Sequence, residues 1–228
     1  MPSFARHHHR SAATGSAAQT RGLVMNWGWR YDLLVGVANV LLRGAVRQLR
    51  QRALELARLQ RGEAVLDVGC GTGTLALLAQ QRVGAQGHVA GVDPGSRQIA
   101  RARAKAASRR VPVAFQVGVI EQLPYPDRSF DAVQSTVMMH HLPDDLTRQG
   151  VREIARVLKP GGRVVIVDFT HGAEHDGQPA QLGAGALGIQ DQPALLADAG
   201  FTQLDSGEIR FPRLFGISGA GFVRGSIG

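Results

Sequence analysis

The feature that most constrains the fold of this chain is a glycine-rich turn between an apolar strand and a helix, in the stretch EAVLDVGCGTGTLALLAQ at residues 63–80. Gly69, Gly71 and Gly73 follow the apolar run AVLDV, and helical periodicity begins at Leu75. Glycine lets the backbone turn tightly and approach a ligand, and the start of a helix supplies amide groups that have no partner within the helix. This order of elements predicts a ligand-binding turn in an α/β fold.

The spacing of these glycines distinguishes between classes of ligand. A dinucleotide fingerprint requires G-x-G-x-x-G, whereas here the third glycine arrives one position early and Thr74 stands in its place. The G-K-[ST] ending of a phosphate-binding P-loop is missing as well. Asp67, two residues before the first glycine, would repel a diphosphate, but its carboxylate suits a ligand with an ammonium group. The pattern therefore disfavours a nicotinamide dinucleotide.

Strands and helices alternate along most of the chain. Strands are predicted at 64–68, 88–92, 113–117, 130–134 and 163–169, and helices at 75 onward, 96–107, 147–158 and 192–200. Two further β-like stretches, at 201–209 and about 217–224, are close enough in sequence to form a hairpin. We therefore predict an α/β fold with a Rossmann-like, doubly wound, mostly parallel seven-stranded sheet. Helices cover both faces, and the C-terminal hairpin forms an antiparallel edge.

A chain of 228 residues can bury one substantial core, so we predict a single folded domain. Residues 1–22 have no hydrophobic period and no acidic residue, and we expect a disordered tail there. The acid-free, Arg- and Ser-rich composition of this tail fits a transit peptide, a bacterial tail or an early start codon. Within the folded part, 23–228, we expect an N-terminal helical lid, a cofactor-binding core and an acceptor-side segment with the hairpin, at 23–61, 62–170 and 171–228.

The charge of the chain is strongly positive. Twenty-six Lys and Arg stand against 18 Asp and Glu, for a net charge of +8 and a pI near 11.0, which would attract phosphates, nucleic acid or anionic lipid. A predicted helix over 31–61 places apolar residues on one side and Arg43, Arg47, Arg50 and Arg58 on another. This arginine face is either solvated or rests on an anionic membrane surface. Nucleic acid is disfavoured as a partner, because no added recognition domain or aromatic-rich basic patch is visible.

The single cysteine, Cys70, excludes an intramolecular disulfide and a cysteine-rich zinc site, and we predict no metal. No apolar run approaches the roughly 20 residues that span a bilayer. A reducing compartment is expected. We therefore predict a cytoplasmic protein with no transmembrane segment, with peripheral contact at the inner membrane face as the membrane-bound alternative.

Several motifs together resemble the class I S-adenosylmethionine-dependent methyltransferases. Their first motif, acid-x-Gly-x-Gly-x-Gly, is matched by Asp67 and the three glycines. Asp93 ends the second strand 24 residues after Gly69, where an acid receives ribose hydroxyls in doubly wound folds. The segments VGVIEQLPYPDRSFDAV, MMHHLPDD and REIARVLKPGGRVVIVDF resemble later motifs of the family. The alternative role for Asp93 is to cap the helix that follows Pro94.

The resemblance implies S-adenosyl-L-methionine as the cofactor and a set of residues that bind it. These residues are Asp67, Gly69, Cys70, Gly71, Gly73, Asp93, Pro94, Gly118, Val119, Ile120 and Thr136. The chain departs from the family at Val119, where relatives commonly have an acid that bonds the adenine amino group. Either water or backbone takes that role here, or the affinity for the cofactor is reduced.

Methyl transfer is an in-line displacement, so positioning supplies much of the acceleration and the sequence need not contain a catalytic signature. His140 and His141 follow the fourth strand on the ligand-binding side of the sheet and are the candidate acid–base residues. The alternative is that they shape the pocket, as a histidine in this loop does in many members of the family that the chain resembles. Tyr31 resembles a tyrosine that relatives fold over the cofactor, and the alternative is a hydrophobic staple for the first helix. Asp168, Phe169 and His171 follow the fifth strand and are expected to line the acceptor pocket, with a structural role as the alternative for Asp168.

The whole-chain pattern is most similar to the ubiquinone/menaquinone C-methyltransferase-like and phospholipid N-methyltransferase-like group. The resemblance therefore implies an enzyme that methylates a small-molecule or lipid-like acceptor, either a quinone-type ring carbon or a phospholipid amine. The alternative is a methyltransferase-like protein that binds the cofactor with little or no catalysis and acts as a binding or assembly module. A nicotinamide oxidoreductase is the third hypothesis.

Overall fold

The structure, a computed structural model, describes residues 20–170, 187–212 and 219–228. Its seven strands form one sheet in the order β3-β2-β1-β4-β5-β7-β6. They are β1 Ala64–Val68, β2 His88–Asp93, β3 Val113–Val117, β4 Phe130–Thr136, β5 Leu158–Thr170, β6 Phe201–Ile209 and β7 Gly219–Ile227. The first five run parallel, and β7 lies antiparallel between β5 and β6. The predicted fold class is confirmed, including the antiparallel C-terminal hairpin.

Six α-helices accompany these strands in the described residues. They are α1 Trp29–Leu41, α2 Ala45–Ala57, α3 Thr74–Val83, α4 Ser96–Arg109, α5 Asp144–Val157 and α6 Gln192–Asp198, with 3-10 turns at Met139–His141 and Ile189–Asp191. None of these helices is long and apolar enough to cross a bilayer. Most of the predicted N-terminal tail, residues 1–19, and the first part of the predicted acceptor-side segment, residues 171–186, lie outside the described residues.

The prediction of one helix over 31–61 is wrong, because the chain breaks between α1 and α2. Arg43 and Gly44 adopt left-handed backbone conformations, with φ of 49° and 88°. The Gly44 amide donates to the Asn39 carbonyl at 2.7 Å, and the Asn39 side chain accepts from the Arg47 amide at 2.9 Å. A left-handed glycine of this kind ends a helix. The apolar period of the sequence continues across the break and therefore does not reveal it. The two helices therefore have separate orientations.

The core consists of two apolar clusters, one on each face of the sheet. Successive residues of a strand point alternately into one cluster and the other. In β1, Leu66 and Val68 belong to the cluster that includes residues of α5 and α6, while Val65 packs in the cluster with α2, α3 and α4. Asp67 alternates onto the face of Val65 and is 2% exposed. A carboxyl group is therefore held inside an apolar layer, near the carboxyl end of β1.

The order of the strands determines where a ligand can bind. The chain crosses from β1 to β2 on one side and reaches β4 on the other, so β1 is the switch point of the sheet. Ligands of open α/β sheets bind in the crevice outside the carboxyl ends of the strands at such a point. In this protein the crevice is bounded by the ends of β1, β2, β4 and β5.

Candidate functional site

The glycine turn joins β1 to α3 with all three glycines in left-handed conformations. Their φ angles are 70°, 52° and 77° for Gly69, Gly71 and Gly73. A Cβ atom on Gly69 would lie 2.2 Å from Met138 Cγ, and one on Gly73 would lie 2.5 Å from Phe115 Cζ. A Cβ atom on Gly71 would meet nothing within 4 Å. Packing thus requires glycine at two of the positions, while Gly71 faces open space.

Asp67 lies beneath this turn with one carboxylate oxygen left free. Its Oδ2 atom is buried and has no hydrogen-bond partner among the described residues. Burial raises the pKa of Asp67 from an ordinary 3.8 to about 8, because removal of water disfavours the charged form. The carboxyl is therefore largely protonated at neutral pH until a cation approaches it.

Asp93, at the end of β2, helps to close the turn. Its Oδ2 accepts from the Gly71 amide at 2.9 Å and its Oδ1 accepts from the Gly95 amide at 2.8 Å. Burial raises the pKa of Asp93 to about 6, although both of these amide donors lower it. Gly95 is itself the N-cap residue of α4, so Asp93 does not bond the first amides inside the helix. Asp93 orders the turn and still borders the crevice.

One cavity gathers nearly all of the predicted site residues. Its lining includes Tyr31, Asp67, Gly69, Cys70, Gly71, Asp93, Pro94, Gly118, Val119, Ile120, Thr136 and His141. Gly73 and His140 are the two predicted residues that do not line it. Gly73 supports the turn from behind through its close approach to Phe115. The same cavity is also lined by Arg50, Glu121 and Phe211, which no sequence motif identifies as site residues.

Arg50, on α2, was interpreted from sequence as part of a solvated or membrane-facing arginine row. It is half-buried, lines the cavity and makes no hydrogen bond or ion pair with any described residue. Its charge lowers the pKa values of both Asp67 and Tyr31, against the larger upward effect of burial. The cavity therefore presents an acid and an unpaired guanidinium close together.

Glu121 follows Gly118, Val119 and Ile120, three of the residues predicted to bind the cofactor. Its Oε2 atom is buried without a hydrogen-bond partner in the described residues. Val119, where relatives commonly have an acid, is 4% exposed and pairs with Gln122 in an isolated bridge. A hydrogen-bond-accepting carboxyl group is thus available two residues after Val119. Glu121 was present in the quoted segment VGVIEQLPYPDRSFDAV, but nothing in the sequence distinguished it.

The N-terminal segment is fastened across the cavity by polar contacts from α1. Asp32 accepts from Thr72 Oγ1 at 2.6 Å, from Arg101 Nε at 2.7 Å and from Lys105 Nζ at 3.1 Å. Burial alone would raise the pKa of Asp32, but these three donors lower it below its ordinary value. The Leu23 amide also donates to the His141 carbonyl at 2.9 Å. Tyr31 is thereby held in the wall of the cavity.

His140 and His141 occupy different environments. His140 is 7% exposed, its Nδ1 lies 2.6 Å from Asp168 Oδ1, and its amide donates to Asp168 Oδ2 at 3.1 Å. The two imidazole rings are 4.0 Å apart. His140 is thus fixed behind the cavity wall and supports His141 without reaching the cavity itself.

His141 lines the cavity, and its Nδ1 atom is buried with no partner in the described part of the chain. Burial, and then the neighbouring His140, lower its pKa to about 4. The ring is therefore neutral at physiological pH. Phe169 and Phe211, whose ring centroids are 5.4 Å apart, also line the cavity and give it an aromatic wall.

The residues present fit S-adenosylmethionine. Buried polar atoms without partners in the described residues include Asp67 Oδ2, Glu121 Oε2, Thr136 Oγ1 and His141 Nδ1, and all four residues line this one cavity. Buried polar groups are normally satisfied, so a cluster of unsatisfied ones indicates a polar ligand. Asp67 and Arg50 offer opposite charges for a zwitterionic amino-acid tail, and Asp93 offers a carboxylate for ribose hydroxyls.

Comparison with known sequences finds similarity to methyltransferases. Residues 65–162 match the family described as "Methyltransferase domain". Demethylmenaquinone methyltransferase of Deinococcus radiodurans is 38% identical over 140 residues, which are 61% of this chain and 56% of that protein. Demethylmenaquinone methyltransferase of Thermus thermophilus is 38% identical over 141 residues, covering 61% of each chain. The chain thus matches somewhat more than half the length of these curated relatives.

Solved structures share the fold. A SAM-dependent methyltransferase from Aquifex aeolicus superimposes with a TM-score of 0.62 at 22% identity, covering 78% of this chain and 89% of that one. The [4+2]-cyclase SpnF superimposes with a TM-score of 0.70 at 21% identity, covering 88% and 96%. At such identities the likeness concerns the fold alone.

Proposed function

We propose that this chain, whose residues 65–162 match a methyltransferase domain, transfers a methyl group from S-adenosylmethionine to a small, lipid-like acceptor. The observation that carries the proposal is the concentration of unpartnered buried polar atoms around one cavity, with Asp67 and Arg50 at its charged end. A cofactor with an ammonium, a carboxylate and a purine would satisfy these groups together.

Each side chain has a distinct part in this proposal. Asp67 would receive the ammonium and Arg50 the carboxylate of the amino-acid tail, while Asp93 would receive the ribose hydroxyls. Glu121 would accept from the adenine amino group in place of the acid missing at Val119. When bound, the cofactor supplies an electrophilic methyl group on a sulfonium.

The acceptor end of the cavity suits a planar apolar molecule. Phe169, Phe211, Val137 and Met138 line it, and His141 places an unpaired ring nitrogen among them. A neutral imidazole can accept a hydrogen bond, and then a proton, from a hydroxyl whose ring carbon becomes nucleophilic. His140 would act as a positioning residue, because Asp168 fixes its ring against that of His141. Alignment of acceptor and methyl group would supply most of the remaining acceleration.

We favour a quinone-type ring carbon over a phospholipid amine as the atom methylated. The two relatives described above are named as demethylmenaquinone methyltransferases, and the aromatic wall fits a flat ring. For location we propose the cytoplasm or its membrane face, where a chain with one free cysteine remains reduced.

The test is direct. The full chain is incubated with radiolabelled S-adenosylmethionine and, separately, with a demethylated naphthoquinol, a phosphatidylethanolamine vesicle and transfer RNA. Label in the quinol, lost in Asp67→Asn and retained in the surface variant Leu204→Gln, is the expected result. Label in the phospholipid alone would overturn the choice of acceptor. No cofactor binding at millimolar concentration would overturn the function itself.

A second candidate function is that of a cofactor-binding protein without methyl transfer, since one fold can support several functions and Val119 stands where relatives commonly have an acid. In that case the chain would bind the cofactor or its product without turnover, as a binding or assembly module or with another chemistry. S-adenosylhomocysteine binding of normal affinity, with no label transferred to any fraction of a cell extract, would favour this alternative.

A further inference from the structure

The outer side of the N-terminal segment is an exposed apolar surface. Among the described residues, the exposed large apolar side chains outside this segment are Val117 and Leu204. Within it they are Leu23, Val24, Trp27, Trp29, Leu33, Leu34, Val37, Val40 and Leu41, which we call the N-terminal apolar surface. Val40 and Leu41 are 75% and 76% exposed, and α1 buries no residue at all. Exposed apolar side chains concentrated in one segment in this way mark an interaction site.

Positive charge is concentrated in the same part of the chain. Residues 20–61 contain eight arginines against Asp32 and Glu55, a net of +6 out of the +8 of the whole chain. Arg30, Arg43 and Arg47 are exposed next to the apolar residues. Asp32 does not offset them, because it is bound to Arg101 and Lys105. The surface therefore combines apolar side chains with an anion-attracting rim.

We propose that the N-terminal apolar surface docks on an anionic lipid bilayer, with its apolar side chains at the boundary between headgroups and acyl chains. Lipid satisfies both properties of the surface at once, since arginines bind anionic headgroups and apolar side chains enter the layer beneath. Trp27 and Trp29 suit that boundary, because an indole is apolar with one polar hydrogen-bond donor.

Other occupants fit the surface less well. A second copy of the chain would bring two arginine-rich rims together, which opposes association. Residues 1–19 of this chain contain Met1 and Phe4 as their large apolar residues and no acid, so their composition supplies neither apolar cover nor neutralising charge. Complementary charge therefore selects an anionic, apolar occupant.

The position of α1 connects this surface to the site. Tyr31 and Val35 line the cavity, while Leu33, Leu34 and Val37 on the same helix are exposed to solvent. One helix thus separates the cavity from the proposed lipid contact. A lipid-like acceptor would then reach the cavity from the bilayer without crossing water; this purpose, though not the docking itself, rests on the proposed function.

The chain offers a built-in reporter of docking. Trp27 and Trp29 are its only two tryptophans, so its intrinsic tryptophan fluorescence reports on this surface alone. The full chain is titrated with phosphatidylcholine vesicles, with and without phosphatidylglycerol. We expect a blue shift and quenching by brominated acyl chains with the anionic vesicles, weakened by added salt.

Two double variants separate the two contributions. Arg43→Gln/Arg47→Gln should lower the partition coefficient roughly 25-fold, since each charge near the surface contributes about fivefold. Leu33→Gln/Val40→Gln should lower it about tenfold or more through lost apolar contact. The matched control Val117→Gln/Leu204→Gln removes the exposed apolar side chains elsewhere and should leave partitioning unchanged.

An unchanged tryptophan emission spectrum with anionic vesicles would overturn the proposal. Binding to neutral vesicles that is as strong as binding to anionic vesicles and insensitive to salt would also overturn it. A blue shift without lipid, accompanied by a dimer mass in sedimentation, would assign the surface to a second copy. Each variant is also titrated with S-adenosylhomocysteine to show that it is folded. If the unsubstituted chain binds anionic vesicles but not S-adenosylhomocysteine, the proposed function is wrong and the proposed lipid docking is unaffected.

Discussion

Cofactor binding should be coupled to the release of a proton from Asp67. Burial holds the pKa of this carboxyl at about 8 in the free protein, so at pH 7 about nine-tenths of it is protonated. An ammonium can pair only with the ionised form. Binding at pH 7 should therefore release roughly 0.9 proton, and affinity should rise almost tenfold from pH 6 to pH 7 before levelling off above pH 8. Asp93, with a pKa of about 6, adds a smaller release near pH 6.

The same shift affects the stability of the free protein. Because the folded pKa of Asp67 lies above its ordinary 3.8, the folded state binds more protons than the unfolded state between these values. The contribution of Asp67 to the free energy of unfolding is thus present below about pH 4 and is lost as pH rises to about 8. Its slope is roughly 1.4 kcal/mol per pH unit.

Isothermal titration with S-adenosylhomocysteine measures the proton release, because the observed enthalpy varies with the ionisation enthalpy of the buffer. The matched variant Asp67→Asn preserves size but cannot ionise. It should release no proton, show no pH dependence between pH 6 and 8, and bind roughly 10- to 100-fold more weakly at pH 8, the cost of a hydrogen bond to a charged group. A wild-type titration with no proton release, or an Asn variant of equal affinity, would refute this account of the site.

Three further predictions concern the same cavity. Arg50→Gln should weaken S-adenosylhomocysteine about tenfold or more while leaving 5′-methylthioadenosine, which lacks the amino-acid tail, unaffected; equal losses for both ligands in calorimetry would contradict the assignment. Gly73→Ala should lower the free energy of unfolding in urea by about 2 kcal/mol or more, because the position has a left-handed backbone and the new methyl group overlaps the Phe115 ring. Gly71→Ala should lower it by only about 1–2 kcal/mol and should mainly weaken ligand binding. His141→Gln should lower kcat about 100-fold or more at unchanged S-adenosylhomocysteine affinity, while Asp168→Asn should lower kcat less and change its pH profile; normal turnover in His141→Gln would exclude a proton-transfer role.

Most of the fold could be predicted because its signals are local. Alternation of strand and helix patterns fixed the parallel sheet, and the bounds of β1, β3 and β6 agree with the predicted 64–68, 113–117 and 201–209. The N-terminal helices were the exception. Their apolar period continues through Arg43 and Gly44, so the sequence did not reveal that the chain turns there.

The cofactor turn could be predicted for the same reason, since Asp67 and the glycines lie within seven residues of one another. The pair of histidines could not be separated. His140 and His141 are identical in type and adjacent, and only the packing of their loop against Asp168 turns one ring behind the wall and the other into the cavity.

The sequence by itself determined the order of the elements, the chemistry of the glycine turn and the charge of the chain, because each depends on residues close together along the backbone. Tertiary structure alone decided that Arg50, Glu121 and Phe211, far apart in sequence, meet at one cavity, and that α1 presents its apolar side chains to solvent. The rotation of a helix about its axis is set by packing against distant strands. A side chain's direction is therefore not encoded in its own segment.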